Sequence, residues 1–239
     1  MKIQEARDRI FVALDFGNSD KVASLVPDLV PYVGGFKIGL ELISAVGGGP
    51  RAVKLVQSLR GRVFYDGKFH DIPNTMAGAA REVAGLGVLM FNVHASAGVE
   101  AMKAAVANRG DSLVLAVTVL TSLSDSDCQL IYGAPSRDRV MEFALMAKEA
   151  GCNGVICSPK ELEFLRREPA LANMLMVTPG VRSAWAAVGD QKRVMTPAEA
   201  IKAGASFLVI GRPITQPPVE IGSPVEAAQR IAEEIAEVL

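Results

Sequence analysis

Cysteine and histidine are scarce in this chain of 239 residues, at three and two copies. An odd set of cysteines at irregular spacing, Cys128, Cys152 and Cys157, argues against a disulfide framework. Cys152 and Cys157 flank the apolar run Gly154-Val155-Ile156 and read as small buried residues. His70 and His94 are too few and too isolated for a clear zinc site. No apolar run reaches the roughly eighteen residues a membrane helix needs. Neither sign of charge is in excess, since 25 Lys and Arg meet 26 Asp and Glu for a net charge of -1. That balance points to neither a nucleic-acid nor a membrane partner. The start, Met1-Lys2-Ile3-Gln4-Glu5-Ala6-Arg7-Asp8-Arg9, is too charged for a secretory signal. The simplest expectation is a soluble, cytoplasmic protein. No linker divides the chain, because Gly47-Gly48-Gly49-Pro50 and Gln216-Pro217-Pro218 read as local turns. One domain over residues 1–239 is therefore expected, long enough for a single well-buried core.

What the chain does have is a strand-then-helix rhythm. Short apolar or β-branched runs predict strands at 10–14, 35–38, 63–65, 88–93, 113–119, 154–156, 175–177 and 207–210. Alanine-rich segments predict helices at 19–30, 50–59, 75–84, 98–108, 136–150, 160–166, 197–203 and 224–238. Apolar strands alternating with amphipathic helices imply a parallel sheet covered by helices. Eight such units fit a closed (β/α)8 TIM barrel of the α/β class. A doubly wound open sheet is the runner-up. It usually carries an early Gly-x-Gly-x-x-Gly, which Leu14-Asp15-Phe16-Gly17-Asn18 lacks.

The densest chemistry lies in Asp66-Gly67-Lys68-Phe69-His70-Asp71-Ile72-Pro73-Asn74-Thr75, between the third strand and its helix. A lone Asp-x-Lys is usually a solvated surface pair; the whole string at a strand-to-helix turn is far more specific. Asp66 and Lys68 are two residues apart, so in an extended chain both point to one face. Carboxylates at Asp66 and Asp71 favour a charged Lys68. A cation suits proton donation or charge stabilisation, whereas Schiff-base chemistry needs a neutral amine. Lys37 on strand two joins Asp66, Lys68 and Asp71 as a candidate catalytic group.

Barrel active sites form at the C-terminal strand ends. There the sequence places Asp15, Lys37, Asp66, Lys68, Asn92, His94, Thr121 and Ser122. Strands seven and eight add Thr178-Pro179-Gly180-Val181-Arg182 and Gly211-Arg212. Barrels often bind phosphate with the loops after these two strands. Arg182, Gln191 and Arg212 supply donors, and glycines at 180 and 211 let backbone N–H groups approach. The segment 183–194 is long for this fold and is expected to close over the ligand. The collection predicts an enzyme with an anionic, polar substrate.

These motifs resemble the orotidine 5′-phosphate decarboxylases over nearly the whole chain. The likeness rests on Ala13-Leu14-Asp15, Phe36-Lys37-Ile38-Gly39, the string from Asp66 to Thr75, and Asn92-Val93-His94-Ala95-Ser96. It continues in Thr118-Val119-Leu120-Thr121-Ser122, Thr178-Pro179-Gly180-Val181-Arg182, Gly189-Asp190-Gln191-Lys192-Arg193 and Ile210-Gly211-Arg212. Ala97 departs from a glycine common in the family, with no catalytic consequence. The resemblance implies conversion of orotidine 5′-monophosphate to uridine 5′-monophosphate and carbon dioxide, the last step of de novo UMP synthesis, without cofactor or metal. By the same resemblance Lys68 protonates C6 of the pyrimidine, within a charge network of Lys37, Asp66 and Asp71. Asp15 and Lys37 hold ribose hydroxyls, Thr121 reads the pyrimidine edge with help from Ser122, and Pro179 lines the base pocket. Arg182, Gln191, Arg212 and the Gly211 N–H grip the phosphate. Asp71, with Ile72 and Thr75, reaches the neighbouring subunit's site across a homodimer interface. A magnesium-dependent sugar-phosphate branch shares the Asp-x-Lys-x-x-Asp string but typically carries a carboxylate on strand two, where this chain has Lys37. A barrel that had lost catalysis should have lost Lys68 or a flanking aspartate, and all are present.

Overall fold

The computed structural model describes residues 1–45, 47–186 and 195–239. In chain order the elements are α1 (Lys2–Asp8), β1 (Ile10–Ala13), α2 (Ser19–Leu29), β2 (Gly35–Ile38), α3 (Leu40–Ser44), α4 (Gly48–Ser58) and β3 (Val63–Phe69). They continue with α5 (Pro73–Gly85), β4 (Met90–His94), α6 (Val99–Ala107), β5 (Leu113–Val117), α7 (Asp125–Tyr132), α8 (Ser136–Glu149), β6 (Gly154–Ile156) and α9 (Leu162–Arg166). The last are β7 (Leu175–Pro179), α10 (Pro197–Lys202), β8 (Phe207–Ile210), α11 (Arg212–Thr215) and α12 (Pro224–Ala236). The strand order β1-β2-β3-β4-β5-β6-β7-β8 closes into a barrel. This is the TIM-barrel architecture the alternation predicts. The chain divides into two compact units, Met1–Gly67 with Thr178–Leu239, and Lys68–Val177.

In the first unit β1 pairs in parallel with β2 and β8, with Ala13 opposite Lys37 and Val12 opposite Ile210. β2 pairs with β3, with Lys37 opposite Phe64. Phe11, Phe36 and Phe64 are among its largest fully buried side chains. α12 begins with a capping box, Ser223 with Glu226, and has Pro224 in its first turn. It buries Ala227, Ala228, Ile231, Ala232 and Ile235, the spacing of one helical face.

In the second unit β4, β5, β6 and β7 pair in parallel, with Leu115 opposite Gly154 and Gly154 opposite Leu175. Gly154 is there for space. A Cβ would stand 2.4 Å from the Leu175 carbonyl oxygen and 3.0 Å from Leu115 Cδ2. α5 opens on Pro73 and buries Met76, Ala80 and Val83.

Strands β2, β6 and β8 have the predicted bounds. β3 runs four residues further than predicted, through the charged string to Phe69. Helices α1, α3, α7 and α11 were not predicted. Each is short, and α1 and α7 bury one residue apiece, Ala6 and Cys128, which leaves no readable period. All three cysteines are free and buried, Cys152 and Cys157 as expected. Among the described residues no helix is long and apolar enough to cross a membrane.

Candidate active site

Three neighbouring strands of the first unit bring a charged cluster together. Lys37, in the middle of an apolar strand, sends its Nζ to Asp15 Oδ1 at 2.7 Å and to Asp66 Oδ2 at 3.2 Å. The parallel registers place Lys37 level with Ala13 and Phe64, each two residues short of the aspartate on its strand. Lys37 and Asp66 are buried, and Asp15 is exposed. Burial acts to lower the Lys37 pKa, but Asp66 and Asp15 outweigh it and hold the ammonium above its usual value. The sign follows: Lys37 stays charged across the neutral range, and its pairing is lost only as pH rises through that raised pKa.

The cluster leaves no room for a side chain at Gly39. A Cβ on Gly39 would stand 2.6 Å from Lys37 Nζ and 3.0 Å from Asp15 Oδ1. Gly211 follows β8, and its missing Cβ would lie 4.0 Å from Asp15 Oδ2, which sets the β8 end beside the β1 end. Arg212 opens α11 directly after it and is exposed. Pro179 ends β7, and Arg182 lies three residues on, its N–H donating to the Met195 carbonyl at 3.0 Å. The Glu234 carboxylate accepts from the Ser183 hydroxyl at 2.9 Å and from the Ala198 N–H at 3.2 Å. Both ends of the segment around 187–194 are thereby tied down. Gln191 lies outside the described residues.

In the second unit the end of β3 is seated on β4 and the turn after it. The Lys68 N–H donates to Asn92 Oδ1 at 2.7 Å. The Phe69 and Phe91 rings lie 6.1 Å apart, and His70 Nε2 is 3.1 Å from Ser96 Oγ. The rings of the chain's two histidines meet edge-on at 5.7 Å. Lys68 has φ +50, in the left-handed region, so the backbone there departs from the regular extended geometry on which the expected shared face of Asp66 and Lys68 depends. Such a conformation costs a non-glycine residue about 1–3 kcal/mol and survives only where surroundings enforce it. β3 is therefore not a regular strand at its end.

Asp71 and Thr75 are exposed, with Ile72, Pro73 and Asn74 between them also exposed. Asp71 Oδ1 accepts from the Ile72 N–H at 2.7 Å, which shapes the turn into α5. Thr121 and Ser122 are exposed beyond β5. Thr121 lines a cleft of about 400 Å³ with Arg137, Lys160 and Glu161. Thr118 is instead a buried structural residue, its hydroxyl donating to the Ile156 carbonyl at 3.0 Å.

Sequence reasoning named Asn92 and Gly39 without giving either a task. Asn92 carried a signal, being a polar side chain inside the apolar run Met90-Phe91-Asn92-Val93, where it must find a partner. Gly39 carried none, since its value lies in what it leaves empty.

The orotidine 5′-phosphate decarboxylase / HUMPS family model matches residues 8–231. The orotidine 5′-phosphate decarboxylase of Syntrophomonas wolfei is 45% identical over 98% of this chain and 100% of its own length. That of Moorella thermoacetica is 48% identical over 96% of this chain and 93% of its own. A crystal structure of the Lactobacillus acidophilus enzyme superposes with TM-score 0.79 at 33% identity, covering 95% of this chain and 98% of that one. With the barrel, the Asp15–Lys37–Asp66 cluster and the β8-end Gly211-Arg212 in place, this chain belongs to the orotidine 5′-phosphate decarboxylase / HUMPS family.

Proposed function

We propose that the chain decarboxylates orotidine 5′-monophosphate to uridine 5′-monophosphate, the last step of de novo UMP synthesis, with no cofactor or metal. The observation that carries this reading is Lys37 held between Asp15 and Asp66. An ammonium occupies the position on strand two where a metal-dependent relative would need a carboxylate. In the reaction the bond between C6 and the carboxylate carbon breaks, carbon dioxide leaves, and the electron pair stays on C6. Lys68, two residues beyond Asp66 along β3, gives its proton to C6, and the resulting amine regains one from water. A preorganised cation stabilises charge as it develops, without reorganisation at the moment of reaction. Asp66, Asp71 and Lys37 form the charge network that keeps that cation placed.

Arg182, Gln191, Arg212 and the Gly211 N–H bind the phosphate, Asp15 and Lys37 the ribose hydroxyls, Thr121 and Ser122 the pyrimidine edge, and Pro179 the base. Phosphate binding energy, remote from C6, is used to assemble the site. The run of five exposed residues from Asp71 to Thr75 suits a second subunit, so Asp71 and Thr75 complete the partner site of a homodimer. The whole chain acts as one catalytic domain in the cytoplasm.

The test is the ultraviolet absorbance change of orotidine 5′-monophosphate mixed with purified protein and excess chelator. Rapid conversion to uridine 5′-monophosphate is expected. No conversion by folded, dimeric protein would overturn the reading and direct attention to magnesium-dependent sugar-phosphate chemistry.

A further inference from the structure

We infer that Asn92 is a positioning residue for Lys68, fixing the lysine backbone in the bent conformation from which its ammonium serves the reaction. The inference rests on the function proposed above.

Among the described residues two non-glycine residues have positive φ, Arg60 at +65 and Lys68 at +50. Arg60 needs no special cause. It follows α4, its N–H returns to the Gln57 carbonyl at 2.9 Å, and left-handed residues commonly end helices. Lys68 lies inside β3, where no helix end accounts for the bend. Something nearby must hold it.

Asn92 is placed to do so. Its side chain is fully buried, and its Oδ1 accepts the N–H of Lys68 itself at 2.7 Å. The next two residues have their own seats, Phe69 on Phe91 and His70 on Ser96 and His94. Three consecutive residues are thus held by β4 and its turn, and Asn92 is the anchor on the lysine. A neutral amide suits the place. An apolar residue there would leave the Lys68 N–H without this acceptor, and an aspartate would keep an acceptor of the same shape.

The test uses full-length protein and three measurements. Asn92→Ala is expected to lower kcat for orotidine 5′-monophosphate at least tenfold, while KM and the Kd for uridine 5′-monophosphate change less than threefold. Asn92→Asp, which restores the acceptor, is expected to recover most of that loss. A merely structural asparagine would change stability without this split between kcat and KM. In the wild type, hydrogen exchange at the Lys68 amide is expected to be strongly protected, a readout that needs no variant to fold. Wild-type kcat in Asn92→Ala, or rapid exchange at Lys68, would overturn the inference. An inactive wild type would instead overturn the proposed function, so the two failures are separable.

Discussion

Lys37 Nζ and the absent Cβ of Gly39 compete for one place, 2.6 Å apart. Gly39 has φ -98 and ψ -178, extended backbone that any residue adopts, so its smallness serves the charge cluster and not the chain path. Gly39→Ala is expected to fold with a loss of about 1–3 kcal/mol, the usual range for overpacking. Its kcat/KM should fall at least tenfold, because the ammonium must move off Asp15 or Asp66. Urea unfolding and steady-state kinetics on the same preparation check both halves.

Lys68→Ala is expected to have no detectable turnover while binding uridine 5′-monophosphate about as well as the wild type. Calorimetric titration with the product separates a lost proton donor from a collapsed site. Near-normal turnover would remove Lys68 from the reaction.

Arg212→Ala should weaken product binding about 10–100-fold, since a hydrogen bond to a charged group contributes about 1.5–3 kcal/mol. Binding of uridine, which lacks the phosphate, should be unchanged. Equal affinity of variant and wild type for the nucleotide would place the phosphate elsewhere.

Glu161, which shares a cleft with Thr121, gives stability a pH signature of its own. Burial pushes its carboxyl up from 4.5 to about 7, against the lowering effect of the Ser158 N–H it accepts at 2.7 Å. The folded state therefore holds a proton that the unfolded chain releases earlier. Stability should fall as pH rises from 4.5 to about 7, then level off. Glu161→Gln keeps the acceptor and removes the charge, and should gain about 1–3 kcal/mol relative to the wild type at pH 8. Thermal midpoints of both proteins across pH 4–9 measure the difference.

The barrel was legible because β6 and β8 are uninterrupted apolar runs bounded by clear breaks, and Lys37 alone breaks β2. β3 was read short because Asp66 and Lys68 end the apolar pattern, although Asp66 is paired with Lys37 and the Lys68 N–H with Asn92. α7 hid for the opposite reason. Leu130 and Ile131 are 86% and 56% exposed, so its apolar residues do not mark its inner face. Within the site, Asp15, Lys37 and Asp66 were each readable as strand-end charges, and parallel pairing made their meeting predictable. The Asn92–Lys68 bond was not, because a left-handed lysine leaves no trace in composition or periodicity.

The cluster of Lys37 with its two aspartates is also a check on strand alignment. Each parallel register fixes one aspartate two residues past the level of Lys37. Slipping β2 by a single residue would present Phe36 or Ile38 in place of the ammonium and strand two carboxylates without a counter-ion. Misaligned barrels thus carry an electrostatic penalty that aligned ones avoid. If turnover depends on these three charges, its regain during refolding should track correctly threaded molecules and not merely collapsed ones.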